Sequence, residues 1–227
     1  MGQDGLSLGE SVKIASLPVL TQIMCYLLRV NNLEPRFHSL EEVARALAGY
    51  YLGHSLRRFR LPRSTVHYYW RRLSSARVDV PVSGEYAVDE TKVILVKGVV
   101  YYLWVVRDLN TGVIPFFMVT EARSGLDVLI LVGGVREVEL RVRGEVLKAR
   151  YVHDGLPAYN FLSMAGVEHE HITFGVRNRV EQVFRTVKHR LSGMDFHFPW
   201  NSSKWSLRKW FSTYFTVYNL LQLWQVR

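Results

Sequence analysis

Residues 85–107 read Glu-Tyr-Ala-Val-Asp-Glu-Thr-Lys-Val-Ile-Leu-Val-Lys-Gly-Val-Val-Tyr-Tyr-Leu-Trp-Val-Val-Arg. Val, Ile, Tyr and Trp favour the pleated backbone, so the stretch predicts two strands, over 86–93 and 99–107, punctuated at Lys97-Gly98. A third strand is expected over 113–119, after the turn signal Asn110-Thr-Gly112. Three antiparallel strands in succession are the economical reading. An acidic pair, Asp89-Glu90, sits inside the first of them.

Downstream, a helix is expected over 126–132, with an unassigned segment around Gly133, Gly134 and Gly144. A fourth strand over 146–152 ends at His153-Asp154-Gly155, and Pro157 opens a further helix. A fifth strand over 169–174 and a long helix over 178–191 complete the series. This order of strands and helices predicts an α/β fold with an RNase H-like core, a mixed five-stranded sheet with helices.

Upstream of residue 75 the pattern is helical. Pro18 suits a first helical turn, and Leu20, Ile23, Met24, Leu27 and Leu28 follow at steps of three and four. Ser39-Leu-Glu-Glu42 is a capping box for a second helix. After Pro62, Ser64 is expected to cap a third helix over 65–73. Two short helices and a basic one make a helix-turn-helix, with Arg63, Ser64, Thr65 and His67 toward the bases and Arg71 and Arg72 alongside. The expected organisation is a DNA-binding domain over 1–75, a Ser/Pro/Gly linker over 76–84 and a catalytic domain over 85–227.

The chain has 227 residues, 48% hydrophobic and 22% charged, which excludes disordered and collagen-like classes. Lys and Arg number 29 against 20 Asp and Glu, a net charge of +9 and a pI near 9.8, the balance of a partner for a polyanion. The single cysteine, Cys25, excludes an internal disulfide framework and a cysteine-based zinc site, and points to a cytoplasmic setting. The uncharged run 210–226 holds too many Ser, Thr, Tyr, Asn and Gln residues for a membrane span and reads as a terminal helix.

Hard divalent cations need oxygen ligands held rigidly, which directs attention to carboxylates on core elements. Asp89 lies within the first strand, Asp154 ends the fourth, and Glu181 lies in the first turn of the long helix. In the expected order the first and fourth strands are neighbours and the helix packs across them, bringing the three acids together. Strand alternation turns Glu90 away from Asp89, so only one of the pair is expected at the site. Other roles for these acids are a surface position for Asp89, a turn for Asp154 before Gly155, and a capping interaction for Glu181.

Five stretches carry a resemblance: Val-Asp-Glu-Thr at 88–91, Tyr-Leu-Trp-Val-Val-Arg-Asp at 102–108, His-Asp-Gly-Leu-Pro-Ala-Tyr at 153–159, Arg-Asn-Arg-Val-Glu-Gln-Val-Phe-Arg-Thr-Val-Lys-His-Arg at 177–190 and Trp-Phe-Ser-Thr-Tyr-Phe-Thr-Val-Tyr-Asn at 210–219. Together they resemble the DDE transposases of the insertion-sequence-six family. The resemblance implies that Asp89, Asp154 and Glu181 bind two Mg2+ or Mn2+ ions and that Lys188 is the basic residue seven positions after the glutamate. Nearly two helical turns separate Lys188 from Glu181, so both share a face. The step from 154 to 181 is short for the family and implies a trimmed loop.

The implied activity is cleavage at transposon ends followed by transfer of the 3′-hydroxyl to target DNA. Three carboxylates around two ions suit in-line displacement at phosphorus, where attacking and leaving oxygens both need stabilisation. The implied partners are double-stranded DNA, both terminal repeats and target, and a second copy of the chain in a homodimer, with nucleoid association. Arg177, Arg179, Arg185, His189 and Arg190 are candidates to track phosphate. Trp200, Trp205, Trp210 and Trp224 could stack on bases or fill a core. Two other readings stay open: an inactive relic that regulates by binding DNA, and an RNase H-like nuclease that hydrolyses without joining.

Overall fold

A computed structural model describes residues 17–95, 99–172, 178–192, 197–198 and 202–225. The chain divides into two compact units, Met1–Ala76 and Arg77–Arg227.

In the first unit, α1 (Leu17–Val30) buries Leu20, Ile23, Met24, Leu27 and Leu28, the expected stripe, against α2 (Leu40–Tyr51). Ser39 Oγ accepts the Glu42 N–H and the Glu42 carboxylate accepts the Ser39 N–H, so the capping box forms. Residues 52–62, with a 3-10 turn at Leu56–Arg58, lead to α3 (Arg63–Arg72). This helix starts two residues earlier than expected. Its N-cap is Pro62 with no side-chain cap, because Ser64 already lies inside the first turn. Val66 and Trp70 are buried while Arg63, Ser64, His67, Arg71 and Arg72 are exposed.

The second unit is α/β, with β1 (Glu85–Leu95), β2 (Val100–Asp108), β3 (Phe116–Thr120), α4 (Gly125–Arg143), β4 (Arg150–His153), α5 (Phe161–Met164), β5 (Glu168–His171), α6 (Asn178–Ser192), β6 (His197–Phe198) and α7 (Lys204–Gln225). The sheet order β3-β2-β1-β4-β5 has β1–β3 antiparallel and β4 and β5 parallel to β1. That is the arrangement of an RNase H-like core, as the element order indicates. The short β6 adds a parallel pairing at Ile94 and Leu95.

Part of the expected linker belongs to this unit. Val80 and Val82 are buried, and Ser83 N–H donates to Asp108 Oδ2 at 2.6 Å. The expected fourth strand shrinks to four residues. Helix α4 instead runs through Gly133 and Gly134 to a left-handed Gly144 at its C-cap. At Gly134 a Cβ would stand 2.2 Å from the Phe116 ring, so glycine there lets the helix lie close on β3. The third strand begins late because residues 113–114 are held differently: Asn219 accepts from the Ile114 N–H and donates to its carbonyl. Pro157 opens a 3-10 turn before the short α5. The turn Lys97-Gly98 lies outside the described residues.

Two layers cover the sheet. Tyr86, Val88, Trp104, Val106 and Met118 pack with Val128, Leu131, Val132 and Val135 of α4. On the opposite face, α6 lies against β1 and β2, and Phe215 of α7 meets Phe117 of β3 at 5.0 Å between ring centres. Among the described residues no helix is long and apolar enough to cross a membrane.

Candidate metal centre

The β1–β4 pairing sets the geometry. Tyr86 pairs with Tyr151 and Ala87 with Val152, so continuing the register by two residues sets Asp154 beside Asp89. Strand β4 stops at His153, leaving Asp154 at the mouth of the turn that follows. One carboxylate oxygen from each of Asp89, Glu90 and Asp154 lies within 4.8 Å of the others.

Backbone donors steady two of these acids. Asp89 Oδ1 accepts the Glu90 N–H at 2.8 Å, and Asp154 Oδ1 accepts the Leu156 N–H at 3.1 Å. Asp89 is buried and Asp154 half-buried. Oxygen donors alone, at this separation and near the end of a parallel strand, form a set suited to a hard divalent cation.

Glu90 corrects the expectation that alternation removes it. Its side chain does lie on the α4 face, where Oε2 accepts from Tyr159 OH at 2.8 Å and Oε1 pairs with Arg123 Nη1 at 3.1 Å. Yet one of its carboxylate oxygens still lies within 4.8 Å of those of Asp89 and Asp154. Burial, followed by the charges of Glu90 and Asp89, holds the Tyr159 hydroxyl well above the ordinary phenol range. It therefore stays protonated and donates.

Glu181 lies in the first turn of α6, as expected, on the Asp89 side of the sheet, and is half-buried. The start of α6 is tied to the end of β2. Arg107 Nη1 donates to the Arg179 carbonyl, and Arg179 Nη1 donates to the Leu109 carbonyl at 2.7 Å. The compact carboxylate group does not include Glu181. Lys188 and Arg185 are exposed on α6. Arg190 departs from the expectation of a phosphate contact: it is only 5% exposed, and its guanidinium lies over the Trp210 ring at 5.6 Å. Trp210 is thus a core residue, whereas Trp205 and Trp224 are exposed. Arg177 and Trp200 lie outside the described residues.

A histidine chain beside the acids escapes sequence reasoning, since its members are spread over β4 and β5. His153 Nδ1 accepts the Gly155 N–H at 3.1 Å, so the neutral ring carries its proton on Nε2 and donates to His169 Nδ1 at 3.0 Å. His169 then keeps its proton on Nε2, toward Ser163 Oγ at 2.7 Å. In this order His169 has no nitrogen left to deprotonate Ser163, so the chain braces the Asp154 turn and does not activate a nucleophile. Burial, reinforced by His169 and His171 and opposed by Asp154, pushes the His153 pKa down to about 4, which keeps the ring neutral near pH 7.

No family model matches the chain. It is 28% identical over 187 residues to an uncharacterized protein of Methanocaldococcus jannaschii, covering 76% of this chain and 84% of that protein. Among solved structures, it is similar to the catalytic domain of Mos1 mariner transposase at a TM-score of 0.44 and 15% identity, over 61% of this chain and 76% of that chain.

Proposed function

We propose that the chain is a DDE-type transposase, of the kind found in the insertion-sequence-six family, that binds transposon ends and catalyses metal-dependent DNA cleavage and strand transfer. The observation that carries this reading is the adjacency of the carboxylates of Asp89, on β1, and Asp154, just past the end of the neighbouring parallel strand β4, in an RNase H-like core. The oxygen donors of Asp89 and Asp154 fit Mg2+ or Mn2+, and Glu181, which lies outside that compact group, would be the further carboxylate. Two such ions, when bound, supply charge stabilisation for in-line displacement at phosphorus.

The chain's own residues supply the rest. Asp89 and Asp154 stay oriented because backbone N–H groups hold one oxygen of each. Glu90, engaged by Tyr159 and Arg123, adds negative charge and fixes the wall behind them. Exposed Lys188 and Arg185 meet DNA phosphate along α6, as Arg179 does at its start. In the first unit, the exposed face of α3 with Arg63, Ser64, His67, Arg71 and Arg72 acts as the recognition helix, with Thr65 beside it. A homodimer that brings two DNA ends together completes the reading.

The test is incubation of the purified chain with labelled DNA carrying the candidate ends, a target plasmid and Mg2+. Joined product is expected. Hydrolysis without joining would make it a nuclease, and a retarded but uncut band would make it a DNA-binding regulator.

A further inference from the structure

Phe37 is 91% exposed on the loop between α1 and α2, a position with no packing role for a large apolar ring. It is not isolated. With Arg36 and His38 it forms one wall of a groove of about 610 Å³, whose other wall is Tyr68, Tyr69 and Arg72 of α3. Tyr68 is itself 54% exposed and meets the Tyr69 ring edge-on at 5.1 Å. Ser64 and Thr65, expected to face DNA bases, line the same groove.

Three aromatic rings and two guanidinium groups around one concavity match the chemistry of a nucleotide: π-faces receive an unstacked base while arginines receive its phosphate. A base inside a duplex keeps both faces within its own stack, and a terminal pair frees one face only, whereas an unpaired base can offer both to the rings of the groove. The surrounding charge agrees. Residues 17–76 contain nine arginines and no lysine against three glutamates, a net +6. One of those acids, Glu34, lines the groove and opposes the phosphate, but it is outnumbered there by Arg36 and Arg72.

We propose that this groove binds an unpaired nucleotide of DNA, with Phe37 and Tyr68 stacking on the base and Arg36 and Arg72 holding the phosphate. The site deepens the reading of the chain as a DNA-acting protein and rests on it. It would let the first unit distinguish an opened or frayed end from uninterrupted duplex. The volume is ample for one nucleotide and too small for a duplex.

The test measures binding of the full chain to a short labelled duplex with an unpaired single-stranded tail and to the same duplex with blunt ends, by fluorescence anisotropy. Wild type is expected to prefer the tailed duplex. Phe37→Ala should weaken the tailed complex about tenfold and leave the blunt complex within about twofold. Because Phe37 is exposed, that variant keeps its fold, checked by circular dichroism; Tyr68→Ala is a second variant expected to act in the same direction. No preference for the tail in wild type, or equal losses on both duplexes, would overturn the proposal. The outcome is separable from the catalytic reading: Asp154→Asn should retain the preference for the tail, and an enzyme that cuts and joins DNA while Phe37→Ala binds normally would contradict the groove alone.

Discussion

The hydroxyl of Tyr159, fully buried, donates to Glu90 Oε2 at 2.8 Å, joining the 3-10 turn after β4 to the middle of β1 across the base of the carboxylate group. Tyr159→Phe removes the donor and leaves a buried carboxylate oxygen short of a partner. The expected loss is about 1–3 kcal/mol of unfolding free energy in urea. Glu90→Gln in the Tyr159→Phe background should recover part of it, since a neutral amide is less costly to leave partly unsatisfied. Loss of the same size in both single variants with no coupling between them would contradict the bond as a stabilising link.

Alkaline stability follows from two other buried phenols. Tyr86 donates to Glu139 Oε1 at 2.8 Å, and burial followed by that carboxylate holds its ionisation far above the ordinary value near 10. Tyr151 is shifted the same way, first by burial and then by Glu139. Each folded-state pKa is raised, so this contribution to stability is present below the unfolded pKa of about 10 and is lost as pH rises beyond it. Unfolding free energy should therefore fall above pH 10. Tyrosinate absorbance from these two residues should appear only with unfolding. Tyr86→Phe together with Tyr151→Phe should flatten the slope.

Two adjacent glycines in α4 should respond in opposite directions. Nothing lies within 4 Å of a Cβ built on Gly133, whereas one on Gly134 would meet the Phe116 ring. Gly133→Ala should raise stability by about 0.5–1 kcal/mol through helix propensity. Gly134→Ala should lower it by about 1 kcal/mol or more, because Phe116 must move off the helix. Thermal unfolding of the two variants side by side checks the pair.

The strand order was legible because residues 85–120 are so strongly β-forming that three successive strands left little choice of topology. The adjacency of Asp89 and Asp154 is legible for the same reason, since parallel pairing of β1 with β4 brings residue 154, just past the end of β4, beside residue 89. The path of α4 is not: the sequence leaves the segment around Gly133 and Gly134 unassigned, and the closeness of Phe116 explains the glycine at 134, while nothing in the structure explains the one at 133. Strand alternation reads the face of Glu90 correctly but not the reach of its side chain, which brings a carboxylate oxygen within 4.8 Å of those of Asp89 and Asp154. Arg190 reads as a surface base because charge in a sequence does not reveal that its guanidinium lies buried over Trp210, twenty positions on. The histidine chain depends on cross-strand pairing between β4 and β5, invisible until the register is known.

The most direct measurement is DNA strand cleavage and joining by purified Asp154→Asn and Asp89→Asn beside wild type, in Mg2+ and in Mn2+, with DNA binding followed in parallel. Each substitution replaces a carboxylate oxygen with a neutral amide at nearly the same volume, leaving the fold intact. Both variants are expected to bind DNA as wild type does and to lose cleavage and joining in either metal. Undiminished chemistry in either one would contradict the pairing of Asp89 and Asp154 as the centre of the reaction.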